Sequence, residues 1–374
     1  MSDTVLHVRA ETKPLEHRSA VTPTIAKKLV NAGYTVNVER SPLSIFEDSE
    51  YEGTGASLVP SASWTEVPKE HIIVGLKELP EEDFPLKHIH VQFAHCYKGQ
   101  GGWETVLGRF PQGGGTLLDL EFLEDEQGRR VAAFGYHAGF AGAALALLTW
   151  SHQLVHGKDS PLPGVTPYEN EDLLIDDVKK AIKAGKAKGG RLPRVLVIGA
   201  LGRCGRGAVD LCIKAGVEDI IKWDLPETSA KPGPYPEIIE SDVFVNCIYL
   251  SAKIPPFIDA KSLSSPDRKL TVVCDVSCDT TNPHNPIPVY DINTTFDKPT
   301  VPVKLPAEAN DLPLSVISID HLPSLLPREA SEAFSGALLP SLLQLNDWRN
   351  ARVWQQAEKL FQDKVATLPK ASTQ

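Results

Sequence analysis

Short runs rich in Val, Ile, Leu and Thr alternate along the chain with longer stretches whose apolar residues recur every three or four positions. That rhythm predicts parallel strands joined by crossover helices, an α/β chain. TVLHVRA (4–10) reads as a strand and TPTIAKKLVNAG (22–33) as a helix, with Thr22 as N-cap, Pro23 at the first helical position and Gly33 as its stop. Strands follow at 34–39, 71–76, 89–94 and 116–122, with a less regular one, RRVAAFG, at 129–135. FGYHAGFAGAALALLTW (134–150) approaches membrane length, but it carries His137 and many Gly and Ala residues. It reads as a buried helix, from about 136, packed on a sheet.

A polar link with Gly and Pro (156–193) leads to a second set of strands at 194–200, 219–224, 242–250, 270–276 and 315–320. The proline-rich stretches 225–236 and 282–306 read as surface loops. Helices expected at about 328–345 and 350–365 can pack back on the first domain. The organisation that results is two Rossmann-like domains, parallel sheets flanked by helices, with the active site in the interdomain cleft. Residues 1–135 plus 325–374 form a substrate-side domain and 136–324 a dinucleotide-binding domain.

The length of 374 residues suits two such domains. A net charge of −10 argues against an unspecific grip on nucleic acid. Six cysteines in a chain of this size fit a reducing, cytoplasmic compartment better than a disulfide scaffold. The start, MSDTVLHVRAE, has no basic-plus-apolar signal segment, and the ending KASTQ lacks an SKL-type tripeptide. No membrane partner is expected, and the chain is read as a monomer.

Three features carry chemistry. In VLVIGALGRCGRG a strand ending at Ile198 is followed by Gly199, Gly202 and Gly205 opening a helix, which aims backbone N–H groups at a pyrophosphate. The G-x-x-G-x-x-G spacing departs from the commoner G-x-G-x-x-G, and a purely structural turn is the alternative. Asp224 ends the next strand 22 residues after Gly202, where a carboxylate accepts from ribose hydroxyls and repels a 2′-phosphate, favouring NAD over NADP. The plainer reading of Asp224 is a strand terminator. Arg203 either neutralises phosphate or lies outward on the helix.

The second feature is a pair of proton-handling side chains, Lys77 in HIIVGLKEL and His95 in HIHVQFAHCYK, each at the carboxyl end of a strand-like run. Ligands of open α/β sheets sit at those ends, and a partly desolvated lysine beside a histidine can supply an acid and a base. The competing readings are a surface lysine paired with Glu78 and a packed core histidine. The third feature is a set of cations, Lys13, Arg18, Lys98, Arg129 and Arg130, suited to a substrate with several carboxylates. Glu16, Glu78 and Glu121 are available to partner some of them.

Together RAETKPLEHRSAVTP, GLKELP, QFAHCYKGQGGW, DLEFLEDEQGRRVAAFG, VIGALGRCGRGA, NCIYLS, DVSCDTTNPHNPIPVY and SVISIDHLPSLLPREAS resemble the fungal saccharopine dehydrogenase family, NAD-dependent and lysine-forming. The opening segment resembles, more distantly, the alanine dehydrogenase and transhydrogenase group. The resemblance implies reversible conversion of saccharopine, NAD and water to lysine, 2-oxoglutarate and NADH in the α-aminoadipate route to lysine. It places the acid–base pair on Lys77 and His95, and substrate contacts on Lys13, Arg18, Lys98, Gln100, Arg130 and Phe134. It places cofactor contacts on Arg129, Gly202, Arg203, Asp224, Thr228, Tyr249, Val276, Ile319, Asp320, His321 and Leu322. It also implies a disulfide between Cys204 and Cys247, a reduced pair being equally admissible, and a peroxisomal location in part of the family.

Departures are His137 in YHAGF where FYAGF is expected, Cys278 in the DVSCDTTNP loop, and Arg206 in place of a small residue. Competing functions are an alanine-type dehydrogenase with a smaller substrate and a nucleotide-binding sensor without activity. A metal enzyme built on Cys274, Cys278 and His284 is a third, but their spacing matches no standard zinc pattern and no metal is expected.

Overall fold

The computed structural model describes residues 4–369 apart from Asp279 and Thr281; the KASTQ ending and two positions of the DVSCDTTNP motif lie outside the described residues. The chain divides into two compact units, Met1–Ala133 with Pro327–Gln374, and Phe134–Leu326.

In the first unit the β-branched runs form β1 (Val5–Val8), β2 (Thr35–Glu39), β3 (Ser57–Val59), β4 (Ile72–Val74), β5 (Ile89–Gln92) and β6 (Thr116–Asp119). They make a parallel sheet in the order β3-β2-β1-β4-β5-β6. That is the doubly wound order, with its switch point between β1 and β4. Helix α1 (Pro23–Asn31) starts at Thr22, whose side chain accepts the Ile25 N–H at 3.3 Å. Helix α2 (Trp103–Gly113) had no counterpart in the sequence reading. The expected strand at 129–135 does not form. Only a bridge between Glu124 and Arg130 is made there, because a turn at 125–128 ties the Gly128 N–H back to the Asp125 carbonyl.

The second unit opens with α3 (Gly135–His156), whose Phe140, Leu145 and Leu147 are fully buried, each contributing on the order of 2 kcal/mol. Its apolar surface packs against Val195, Val197, Val245 and Val272 of the second sheet. No helix among the described residues is long and apolar enough to cross a membrane. The segment read as a polar link holds α4 (Glu171–Gly189), capped by Asn170 and burying Leu174, Ile175, Val178 and Ile182. After β7 (Arg194–Ile198) come α5 (Arg203–Lys214), β8 (Asp219–Trp223), β9 (Val243–Asn246), β10 (Val272–Asp275), β11 (Val301–Pro302) and β12 (Ser315–Ile317). The sheet runs β11-β12-β10-β9-β7-β8, all parallel except the edge strand β11. A short helix, Leu225–Ala230, interrupts the first proline-rich loop, and β11 lies in the second.

Helices α3 and α5 meet backbone to backbone. A Cβ on Gly139 would lie 1.9 Å from the Cys204 carbonyl oxygen, and one on Gly207 1.9 Å from that of Tyr136. Only glycine permits that approach. From Pro327 the chain re-enters the first unit as α6 (Pro327–Leu342) and α7 (Arg352–Val365). There Phe334 packs on Phe93, and Phe361 on Phe110.

Candidate active site

Strands β4 and β5 are hydrogen-bonded neighbours, with Ile72 opposite Ile89. The chain leaving each carboxyl end therefore brings Lys77 and His95 together, Lys77 Nζ lying 3.5 Å from His95 Nε2. The Phe93 N–H donates to the Leu76 carbonyl at 2.9 Å, tying the two segments just beyond the strands. His95 itself sits at φ 51°, in the left-handed region, a conformation found for non-glycine residues where a side chain must be aimed. Asp119, at the end of β6, holds that turn by accepting the Ala94 N–H at 3.2 Å and the Glu121 N–H at 2.8 Å. Burial raises the Asp119 carboxyl to about 6.

The environment moves both proton-handling groups in the same direction. Burial, then the Arg18 charge, lowers Lys77, and Glu78 opposes them. Burial, then the Lys77 charge, lowers His95, with Glu78 and Glu121 opposing. Two half-buried bases side by side, each depressed by burial and by a positive neighbour, can pass protons between themselves and a bound molecule.

The cations read as a carboxylate shell are already paired. Lys13 Nζ lies 2.7 Å from Glu78 Oε1, and Lys98 Nζ 2.6 Å from Glu121 Oε1. Arg18 grips Glu16 through Nε at 2.8 Å and a terminal nitrogen at 2.7 Å, both side chains being buried. Burial pushes the Glu16 carboxyl up, but the hydrogen bonds and charge of Arg18 outweigh it and the net shift is downward. The Gln100 side chain accepts the Lys98 N–H at 2.8 Å. Arg129 pairs with Asp125 on the exposed turn, and Arg130 is exposed beside it. The two buried carboxylates Glu11 and Asp119 are where sequence reasoning stopped short. It named Glu16, Glu78 and Glu121 as available partners, and it gave Glu11 and Asp119 no role.

In the second unit Gly199 has φ +85°, and a Cβ on Gly205 would lie 2.0 Å from the Gly199 oxygen, so the turn closes only with glycine at both positions. Gly202 is the N-cap of α5. Arg206, the departure from a small residue, donates from Nε to the Leu201 carbonyl at 2.9 Å and so braces the turn. Asp224 follows β8. One carboxylate oxygen accepts the Leu201 N–H at 2.9 Å and the other the Leu225 N–H at 2.9 Å, linking the glycine turn to the next helix. The Thr228 hydroxyl donates to the Asp224 carbonyl at 3.0 Å.

Val276 and Leu322 both reach Gly142 of α3, Ile319 is buried, and Asp320, paired with His321, is exposed, as is Tyr249. Arg203 lies along Gly135, next to Phe134 at the start of α3. These residues fit a dinucleotide: the glycine-only turn and the helix start offer N–H groups to phosphate, and Asp224 stands at the ribose position of such folds.

The disulfide implied between Cys204 and Cys247 is not formed, and none of the six cysteines is in a disulfide. The neighbouring Cys204 thiol, together with burial, pushes Cys247 well above its ordinary range. Among the described residues, no group of three or more His, Cys, Asp or Glu side chains is placed to hold a metal ion.

Residues 7–141 match the family described as the alanine dehydrogenase/PNT N-terminal domain. Over its full length the chain is 67% identical to a saccharopine dehydrogenase [NAD(+), L-lysine-forming] of Neurospora crassa, covering 100% of both chains. It is 58% identical to the protein of that name in Schizosaccharomyces pombe, over 97% of this chain and 99% of the relative. An L-alanine dehydrogenase structure superposes with a TM-score of 0.64 at 17% identity, covering 96% of this chain and 94% of that one. A transhydrogenase from Sinorhizobium meliloti superposes with a TM-score of 0.58 at 15% identity, covering 91% and 94%. These two structures bear on the fold alone.

Proposed function

We infer that this chain, which belongs to the family of NAD(+)-dependent, L-lysine-forming saccharopine dehydrogenases, is itself such an enzyme, converting saccharopine reversibly to lysine and 2-oxoglutarate. The observation that carries the reading is full-length identity of 67% to a relative of that name. The meeting of Lys77 and His95 at neighbouring strand ends supplies the chemistry the name requires.

NAD, when bound, supplies the hydride acceptor. The turn at Gly199, Gly202 and Gly205 would hold its pyrophosphate with Arg203, and Asp224 and Thr228 its adenosine ribose; Arg129, Tyr249, Val276 and the 319–322 segment would complete its contacts. His95 Nε2 takes the proton of the substrate's secondary amine as the adjacent carbon is oxidised. Lys77 Nζ then moves the protons that let water add to the resulting imine and the carbon–nitrogen bond break, releasing lysine. Lys13 and Lys98, both half-exposed, turn from Glu78 and Glu121 to the substrate carboxylates, whereas Arg18 stays anchored on Glu16. Gln100, Arg130 and Phe134 complete the substrate contacts. We place the enzyme, as a monomer, in a reducing cytoplasmic compartment, since six cysteines in a chain of this size suit one better than a disulfide scaffold.

The test is NADH oxidation with lysine and 2-oxoglutarate together and with each omitted in turn. Turnover requiring both is expected. Turnover with pyruvate and ammonia but not with lysine would replace the reading by an alanine-type dehydrogenase.

A further inference from the structure

Between the end of β4 and Lys77 the chain is in neither helix nor strand, yet the peptide groups on both sides of Lys77 are held by buried charges. Glu11 accepts the Leu76 N–H at 2.7 Å on one oxygen and the Lys77 N–H at 2.9 Å on the other. Arg9 donates to the Lys77 carbonyl, reaches Gln92 Oε1 at 3.4 Å, and lies 3.5 Å from Glu11. Both side chains are buried, and burying two charges costs far more than an ordinary turn needs. Gly75 makes room for the arrangement, since a Cβ there would lie 2.4 Å from Arg9 Nε.

We propose that Glu11 and Arg9 are positioning residues for Lys77: a carboxylate and a guanidinium at the β1/β4 switch point that fix the backbone from which the reactive amine projects. The proposal rests on the reading of Lys77 as an acid–base group. With its N–H held by Glu11 and its carbonyl by Arg9, residue 77 has little freedom left in φ and ψ, so only side-chain torsions separate Nζ from the substrate. Glu11 is not among the charges that chiefly set the Lys77 amine, which are those of Arg18, Glu78, Lys13 and Glu16. Its contribution is therefore geometric, and it is expressed in turnover more than in binding.

The test uses the full-length enzyme and three variants, with kcat expressed per NADH-binding site so that partial unfolding does not count as lost turnover. Glu11→Gln places an amide N–H against one of the two backbone donors. Gly75→Ala keeps every charge but pushes Arg9 off the Lys77 carbonyl. Lys77→Met reports on the underlying assignment. The expected result is that Glu11→Gln and Gly75→Ala each lower kcat by at least tenfold, with the KM values for NADH and 2-oxoglutarate within about twofold and, because the Lys77 amine shifts relative to the charges of Arg18 and Glu78, a displaced limb of the pH–rate profile.

If Glu11→Gln binds no NADH, Gly75→Ala decides. A lowered melting temperature with unchanged kcat per site and an unchanged pH profile overturns the proposal and leaves the pair a structural clasp. If Lys77→Met itself turns over like the wild type, the acid–base assignment falls first, and the proposal with it.

Discussion

Glu78 bridges the two halves of the site: its Oε2 lies 3.6 Å from His95 Nε2 and its Oε1 2.7 Å from Lys13 Nζ. Its charge raises both His95 and Lys77 against the downward pull of burial. Removing that charge in Glu78→Gln lowers both groups. With His95 as the proton acceptor proposed for saccharopine oxidation, the acidic limb of the pH–rate profile is expected to move to lower pH, with a modest loss of kcat. Profiles that superimpose on the wild type would show that Glu78 does not act on the pair.

Lys77→Met and His95→Gln are each expected to lower kcat by about 10² or more, while NADH binding, measured by fluorescence titration, changes little. Wild-type turnover in either single variant would remove that residue from the mechanism.

Asp224 is expected to set the choice of dinucleotide. Asp224→Ser loses the charged acceptor for ribose hydroxyls and weakens NADH by about tenfold, since hydrogen bonds to charged groups contribute about 1.5 kcal/mol or more. It also lifts the repulsion of a 2′-phosphate, so the ratio of kcat/KM with NADPH to that with NADH rises. A ratio that stays fixed would leave Asp224 as the brace of the Leu201 turn alone.

Arg18→Ala strands the buried Glu16 carboxylate and is expected to cost about 3 kcal/mol of stability, read as a lowered melting temperature near neutrality. The pH dependence fixes the cause. In the wild type the Glu16 value is depressed on folding, so its contribution is present above the unfolded value of about 4.3 and is lost as the pH falls through the folded one. Without Arg18, burial dominates and raises the folded value, so the variant regains stability on mild acidification. A gap between the two proteins that stays constant with pH would contradict this.

His90 is fully buried, with Trp64 and Phe110 edge-on at ring-centroid distances of 5.3 and 5.5 Å. Burial, then the charge of Arg9, holds it well below its ordinary range. Stability from a depressed histidine is present above the unfolded value of about 6.5 and is lost as the pH falls toward the folded one. The melting temperature of the wild type should therefore decline below about pH 6.5, and His90→Phe should flatten that decline. An identical slope in both proteins would assign the acid sensitivity elsewhere, for example to His137, which burial holds at about 4.

Strand runs of β-branched residues, the Thr22-Pro23 helix start and the glycine turn were legible because each is local: period, cap and turn chemistry are written in consecutive residues. Helix α4 escaped because its apolar stripe of Leu174, Ile175, Val178 and Ile182 is narrow among many lysines and acids, so the segment read as polar throughout. The false strand at 129–135 has a single β-branched residue, Val131, and the turn at 125–128 uses its start. That Lys77 and His95 meet was legible because each follows the carboxyl end of a strand-like run and the two runs pair as neighbours. The parts played by Glu11 and Asp119 were not, since their work is to hold backbone supplied by strands far away in sequence, and nothing near them spells that out.

The carbonyl-to-glycine contacts at Gly139 and Gly207 leave no side-chain padding between α3 and α5. A hinge needs something compressible, and bare backbones in contact are not. Any tightening of the first turn of α5 around a bound anion must therefore drag the start of α3 along with it, so amide exchange around residue 140 would register an event at residue 203 as one mechanical body.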